Sequence, residues 1–338
     1  MDTDSQKALI ERELLINKFQ KKIKVLSETA WRDRELHLDE VENWLDQFGD
    51  SEEERLHFLH LLSCFMYFGV REVREMLKSL YRDIYKVPTI LRIRKEQGET
   101  KDACLLNKLF EAELKQTRFL GIGNPSESGT HLLYMFRQIN SLPNKLFING
   151  RQTYRRKSDG SVEIEDPKIQ RYVFLDDLTG TGSQAEKYSK KLISTIKALA
   201  PNARVDYYVL FATVEAIETI RNKTLFDDVR AVFIIDETFK CFHDASRYFR
   251  DSESLGCIER EKSMQLCRKY DQDISQQICE KEGFPGESYY ELGFNESQLL
   301  LSFHHNTPDN APPIFWYESL PSDSIHWKPI FNRFHKVY

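Results

Sequence analysis

The sequence predicts an α/β protein: a parallel-sheet core preceded by a helical region and followed by an irregular one. Three observations carry this. Between about residues 113 and 240, short apolar segments alternate with amphipathic ones. Several of those short segments are apolar at consecutive positions, as strands covered on both faces are. Before this stretch the pattern is helical, and after it prolines and aromatic residues interrupt any period. The expected parts are a helical domain over 1–112, the α/β core over 113–240, and a helix with hood-like structure over 241–338, packed on the core.

In the first part, LLINKFQKKIKVL sets apolar residues at helical spacing against a lysine face. HLDEVENWLDQF follows and ends near Gly49, a C-cap position. Ser51 and Glu54 have capping-box spacing before LHFLHLLSCFMYF, and REVREMLKSLYRDIYK makes a further helix that Pro88 is expected to stop. In the core, RFLGIG (118–123) reads as a strand, then NPSESG as a turn and THLLYMFRQIN as a helix. KLFIN (145–149) is a second strand, followed by a polar excursion and RYVFLDD as the third. SQAEKYSKKLISTIKAL, VDYYVLFAT, VEAIETIRNK and VRAVFIID then alternate helix, strand, helix, strand. Beyond the core lies one charged helix over roughly 255–281, and Phe315, Trp316 and Tyr317 beside Pro312 and Pro313 point to packed irregular structure.

The totals narrow the function classes. With 41% hydrophobic and 30% charged residues, 338 residues make an ordinary folded core, with no repeat period or low-complexity tract. No apolar run approaches membrane-spanning length, and the opening MDTDSQK has no signal-peptide core, so a cytoplasmic protein without membrane contact is expected. The six cysteines form no CxxC pair, which favours reduced packing thiols over a zinc site or disulfide frame; no metal ligand set stands out. A net charge of −5 argues against a protein that coats nucleic acid, and the cluster Lys18, Lys21, Lys22 and Lys24 reads first as a solvated helix face.

The chemistry concentrates at VFLDDLTGTGSQ (173–184). Asp176 and Asp177 end an apolar strand, where two carboxylates can each accept a hydrogen bond from one hydroxyl of a vicinal diol. Thr179, Gly180, Thr181, Gly182 and Ser183 then lead into a helix. Glycines let main-chain amides approach an anion, three hydroxyls add donors, and a helix N-terminus favours negative charge. A diol site beside a phosphate site suits a ribose 5-phosphate. The structural alternative is a strand ending in acids that cap the next helix or bind a cation.

This stretch resembles the phosphoribosyl diphosphate (PRPP) signature of type I phosphoribosyltransferases, and the strand and loop order resembles theirs. The resemblance implies that Asp176 and Asp177 bind the ribose hydroxyls and that residues 179–183 cradle the 5-phosphate. Gly180 and Gln184 depart from it, since the family usually has threonine at both. It implies further that GNPSESG, with Gly123, Ser126, Ser128 and Gly129, is a pyrophosphate loop. The excursion at 150–170, with Arg151, Arg155, Arg156, Lys157 and an SDG turn, would be a flap over the diphosphate; an exposed charged hairpin is the alternative. Mg²⁺ would arrive on the substrate's diphosphate. GNPSESG fits neither a Walker A loop nor a dinucleotide fingerprint.

A wider resemblance spans WLDQF, ERLHFLHLLSCFMYF, TRFLGIGNPSESGTHLLYMFRQIN, FLDDLTGTGSQ and HNTPDNAPPIFW. Together these are similar to the phosphoribosyltransferase-like family of bacterial conflict systems, some of them encoded beside retron reverse transcriptases. It implies an antiphage effector that binds PRPP or a related ribose phosphate and transfers or hydrolyses the ribosyl group. Partners would include a reverse transcriptase or a winged-helix protein. The alternative is a catalytically inactive nucleotide sensor or protein-docking module.

Overall fold

The computed structural model describes residues 3–122, 128–251, 255–284, 286–287 and 289–334. Its strands in chain order are β1 (Met66–Phe68), β2 (Thr117–Gly121), β3 (Tyr154–Arg156), β4 (Val162–Ile164), β5 (Arg171–Thr179), β6 (Arg204–Thr213), β7 (Asp228–Ile235) and β8 (Leu301–Phe303). The chain forms two compact units, Glu72–Ile235 and Met1–Arg71 with Asp236–Tyr338. This division differs from the three parts expected. The helical segments of residues 80–115 belong with the sheet, because they supply partners for polar groups at the strands' amino ends: Tyr85 Oη lies 2.9 Å from Thr117 Oγ1, and Arg171 donates to Thr89 Oγ1 at 3.0 Å.

The first of these units is a four-stranded parallel sheet in the order β2-β5-β6-β7. β6 is buried at every position from Val205 to Thr213, which is why its sequence shows no alternation. On one face Leu120, Phe174, Tyr207 and Val209 pack against Ala185, Ile193, Ile196, Ile217 and Ile220 of the helical segments 183–199 and Val214–Lys223. On the other, Phe119 meets the rings of Tyr85, Phe136 and Phe147 at 5.3–5.5 Å. Each such side chain contributes roughly 1.5–3 kcal/mol by leaving water.

Three expected elements come out differently. KLFIN is a short 3-10 turn (Asn144–Leu146) with a single parallel bridge from Phe147 to Phe119, because Asn149 caps the next turn, Gly150–Gln152, and ends the extended backbone. Pro88 does not stop its helix. Residues Leu80–Lys86 widen into π-helical turns and α-helix resumes over Val87–Glu96 with Pro88 as its second residue, so the helical backbone runs on through the proline. The late charged helix is Arg260–Lys281. The SDG segment does make a hairpin: β3 and β4 pair antiparallel around Gly160 at φ +84°.

In the other unit β1 pairs parallel with β8, so distant parts of the chain share a core. Trp44 stacks on Phe315 at 5.3 Å, and Phe315, Trp316 and Tyr317 are buried as the sequence implied. Buried Asp271 accepts hydrogen bonds from the backbone N–H of Leu292 and Ile314 at 3.1 and 2.9 Å, tying the Arg260–Lys281 helix to the final segments. Thr307 is fully buried and bonded to Ser302 and the Asn332 carbonyl, a packing role. Among the described residues, no helix is long and apolar enough to cross a membrane.

Candidate functional site

Beyond β2 the chain reaches the outer side of that strand at Phe147, whereas β5, β6 and β7 extend the sheet the other way. The order therefore reverses between β2 and β5. In an open α/β sheet, a ligand crevice opens at the carboxyl ends of the strands flanking such a reversal. Those ends are Gly121–Ile122 and Asp176–Thr179, joined by a bond from Ile122 N to the Leu175 carbonyl at 3.2 Å.

The two acids differ. Asp176 is only 5% exposed, and both its oxygens are occupied: the Tyr207 hydroxyl donates to Oδ2 at 2.8 Å and the Asp177 N–H to Oδ1 at 3.0 Å. Asp177 is half-buried, and its Oδ1 accepts from Leu178 N at 2.8 Å. Burial, and after it the neighbouring Asp177, raises the Asp176 carboxyl well above the ordinary carboxylate range. The fold therefore favours the protonated form of the Asp176 carboxyl. Burial also raises the Tyr207 phenol, so it stays a donor. The sequence suggested two equivalent carboxylates; the fold makes one buried acid and one half-exposed one.

The following turn is fixed from its neighbours. Thr213, at the end of β6, donates to the Gly180 carbonyl and accepts from Ala216 N at 3.0 Å as an N-cap. Gly182 sits at φ +77°, where a Cβ would also approach Ile220, Thr219 and the Ala216 carbonyl at 3.1–3.3 Å, so both backbone and space call for glycine. The hydroxyls of Thr181 and Ser183 lie 2.6 Å apart at the start of the helical run 183–199. Thr179 is buried on β5 itself, so the open turn is Gly180–Ser183.

The remaining candidates are less united. Gly123 and Ser126 lie outside the described residues, while Ser128 and Gly129 open the helix Ser128–Ile139. Arg155 bonds Glu163 at 2.8 Å on the paired strand, and Lys157 meets the same carboxylate at 2.6 Å. Two of the expected flap cations are therefore compensated within the hairpin; Arg156 is exposed beside them. Sequence reasoning missed Tyr207 and Thr213. A tyrosine and a terminal threonine in the otherwise apolar VDYYVLFAT, the strand next to the acids, were the available signals. A cavity of about 850 Å³ also opens beside Gly121 and Ile122; it includes Arg151 in its wall but neither acid nor residues 179–183. Among the described residues, no group of three or more His, Cys, Asp or Glu side chains is placed to hold a metal ion.

Comparison with known proteins places these features in context. The PRTase-CE family model matches residues 41–333. No curated protein matches. Three solved structures are remotely similar. The xanthine-guanine-hypoxanthine phosphoribosyltransferase of Helicobacter pylori has 8% identity and a TM-score of 0.28, over 50% of this chain and 88% of its own. The AQ2163 protein from Aquifex aeolicus has 12% identity and a TM-score of 0.28, over 60% and 86%. A hypothetical protein from Neisseria gonorrhoeae with bound ppGpp has 12% identity and a TM-score of 0.27, over 56% and 97%.

Proposed function

Because the chain belongs to the PRTase-CE family, we propose that the crevice at Asp177 and Gly180–Ser183 binds PRPP or a related ribose phosphate, and that the protein transfers or hydrolyses its ribosyl group. One observation carries the reading: a carboxyl pair and a glycine-opened hydroxyl turn meet at the end of one central strand, beside the reversal in strand order. Asp177 accepts from the ribose diol, and Asp176, fixed by Tyr207, positions it. The amides of Gly180–Ser183 and the hydroxyls of Thr181 and Ser183 hold the 5-phosphate at a helix start. Positive charge developing on the sugar meets the carboxyl pair's negative charge. On this reading Mg²⁺ enters with the ligand, as the counter-ion of its diphosphate.

The resemblance to conflict-system proteins supports an antiphage effector of retron type, partnered by a reverse transcriptase or a winged-helix protein. A second reading, a nucleotide sensor without turnover, is favoured by the burial of Asp176 and by glycine at 180 and glutamine at 184. Calorimetric titration of PRPP with Mg²⁺ tests the binding. Saturable heat is expected for the native chain, with affinity at least about tenfold weaker in Asp177→Asn, which loses a charge-assisted bond. No heat from the native chain sinks both readings. Binding without pyrophosphate release selects the sensor.

A further inference from the structure

We propose that the cavity of about 850 Å³ beside β2 binds a nucleoside triphosphate, on a wall that includes neither Asp177 nor the Gly180–Ser183 turn. Its wall carries Arg137, Arg151, Lys187 and Lys191, together with Tyr154 and Tyr188. Among the described residues none of these four cations has a carboxylate partner, although neighbours on the same elements do: Lys190 pairs with Glu186 at 2.6 Å, and Arg155 and Lys157 pair with Glu163. Lys187 and Lys191 stand four residues apart on one helical run, where like charges repel without compensation. The run also widens into a π-helical turn at Ser189–Ile193, the stretch that carries Lys191. Such turns recur at functional sites. Four cations in the wall of one hollow, none with a carboxylate partner among the described residues, call for a polyanion.

The size and the aromatic walls narrow the class. A hollow of this volume falls in the range of small-molecule sites, roughly 300–1,000 Å³, far more than a lone phosphate fills. Tyr154 and Tyr188 are half-buried, and a ring face there stacks a planar base while the cations take the phosphates. A triphosphate brings negative charge enough for four cations. The cavity borders the crevice at Gly121 and Ile122 and takes in Arg151, but its wall includes none of Asp176, Asp177 or residues 179–183, so Asp177 variants separate this assignment from the ribose-phosphate reading.

Titrating the full chain with ATP, GTP and inorganic tripolyphosphate, read by calorimetry, tests it. Saturable binding of at least one nucleotide is expected, tighter than tripolyphosphate. It should weaken at least about tenfold in Lys187→Glu/Lys191→Glu, since two charge-assisted contacts go. The milder Lys187→Gln/Lys191→Gln, checked by circular dichroism, should weaken it in the same direction, and Asp177→Asn should leave it unchanged. Absence of saturation by either nucleotide overturns the proposal. So do equal affinity for tripolyphosphate, indifference to both lysine variants, tighter binding of a 5′-phosphorylated oligonucleotide, or loss of nucleotide binding in Asp177→Asn.

Discussion

The two ends of β5 carry charge in opposite ways. At the amino end Arg171 is buried against Asp206 at 2.7 Å, donates to the Tyr208 hydroxyl at 2.8 Å, and lies over the Tyr85 ring at 4.7 Å. Arg204 reaches the same Asp206 from β6 at 2.8 Å. At the carboxyl end Asp176 is as deeply placed, yet its bonded donors are neutral, a phenol and a main-chain N–H. The charge at one end is answered by opposite charge and serves the fold. At the other end the buried Asp176 carboxyl meets neutral donors, and burial favours its protonated form. Compensation, more than burial, separates the structural polar residues of this sheet from those available for chemistry.

The largest expected effect breaks the amino end. Arg171→Met strands a buried carboxylate with one remaining arginine, and the cost of removing one member of a buried ion pair is about 3–5 kcal/mol. Urea unfolding of the variant against the native chain measures it, and a loss below about 1 kcal/mol would show the network to be dispensable.

The other compact unit sharpens the same contrast. His57 and His60 are buried there with no described partner on Nε2, and burial holds both imidazoles down at about 4 from the ordinary 6.5. Since the folded chain favours the neutral rings, their contribution is complete above pH 6.5 and is lost as pH falls towards 4. Each is worth about 3 kcal/mol. Asp271 has the opposite sign: burial pushes it up to about 8, so its contribution is complete at low pH and fades as pH rises through that value. Thermal unfolding across this pH range should show both limbs, and replacing His57 by Phe should flatten the acid one. Asp271 is also an acid held by neutral donors, but it caps main-chain groups and adjoins no crevice described here. Neutral partners alone do not make a site; position at a strand end does.

Much of this was legible beforehand. The alternation of strands and helices, the Asp-Asp-Leu-Thr-Gly-Thr-Gly-Ser turn and the SDG hairpin are local patterns, and local patterns survive into the fold. What was not legible depends on register across strands. Asp176 pairs with Val209 of β6, which brings Tyr207, on the same face two residues earlier, within reach of its carboxyl. No spacing within 173–184 contains that, so the two acids read as equals. The compensation of the flap cations was hidden for the same reason: Glu163 lies eight residues from Arg155, and only the hairpin pairing sets them opposite. The allegiance of residues 72–112 to the sheet likewise follows from Thr89 and Tyr85, whose partners lie on strands.

At the carboxyl end the effects should be smaller, because neutral donors are lost rather than charges. Tyr207→Phe removes the phenol from Asp176 and leaves a buried carboxyl oxygen short of a partner, at a cost of about 1–3 kcal/mol. The same change should raise the Asp176 carboxyl further, because a donor that favours its charged form is gone.

The smallest effect tests the asymmetry most directly. Burial favours the protonated form of Asp176, so Asp176→Asn puts a neutral group of the same shape where the fold favours one. Its amide oxygen can still accept from the Asp177 N–H while its NH2 donates to the Tyr207 oxygen, and the stability loss at neutral pH should stay within about 1 kcal/mol. The pH dependence should change more. In the native chain the raised carboxyl favours the fold while protonated, and that contribution drains away as pH climbs from the ordinary carboxylate range through the raised value. Asparagine has no such proton, so the alkaline limb due to this residue should vanish. If instead the substitution costs as much as Arg171→Met, Asp176 is a charged residue held by something other than Tyr207 and a main-chain N–H, and the two ends of β5 do not differ in kind.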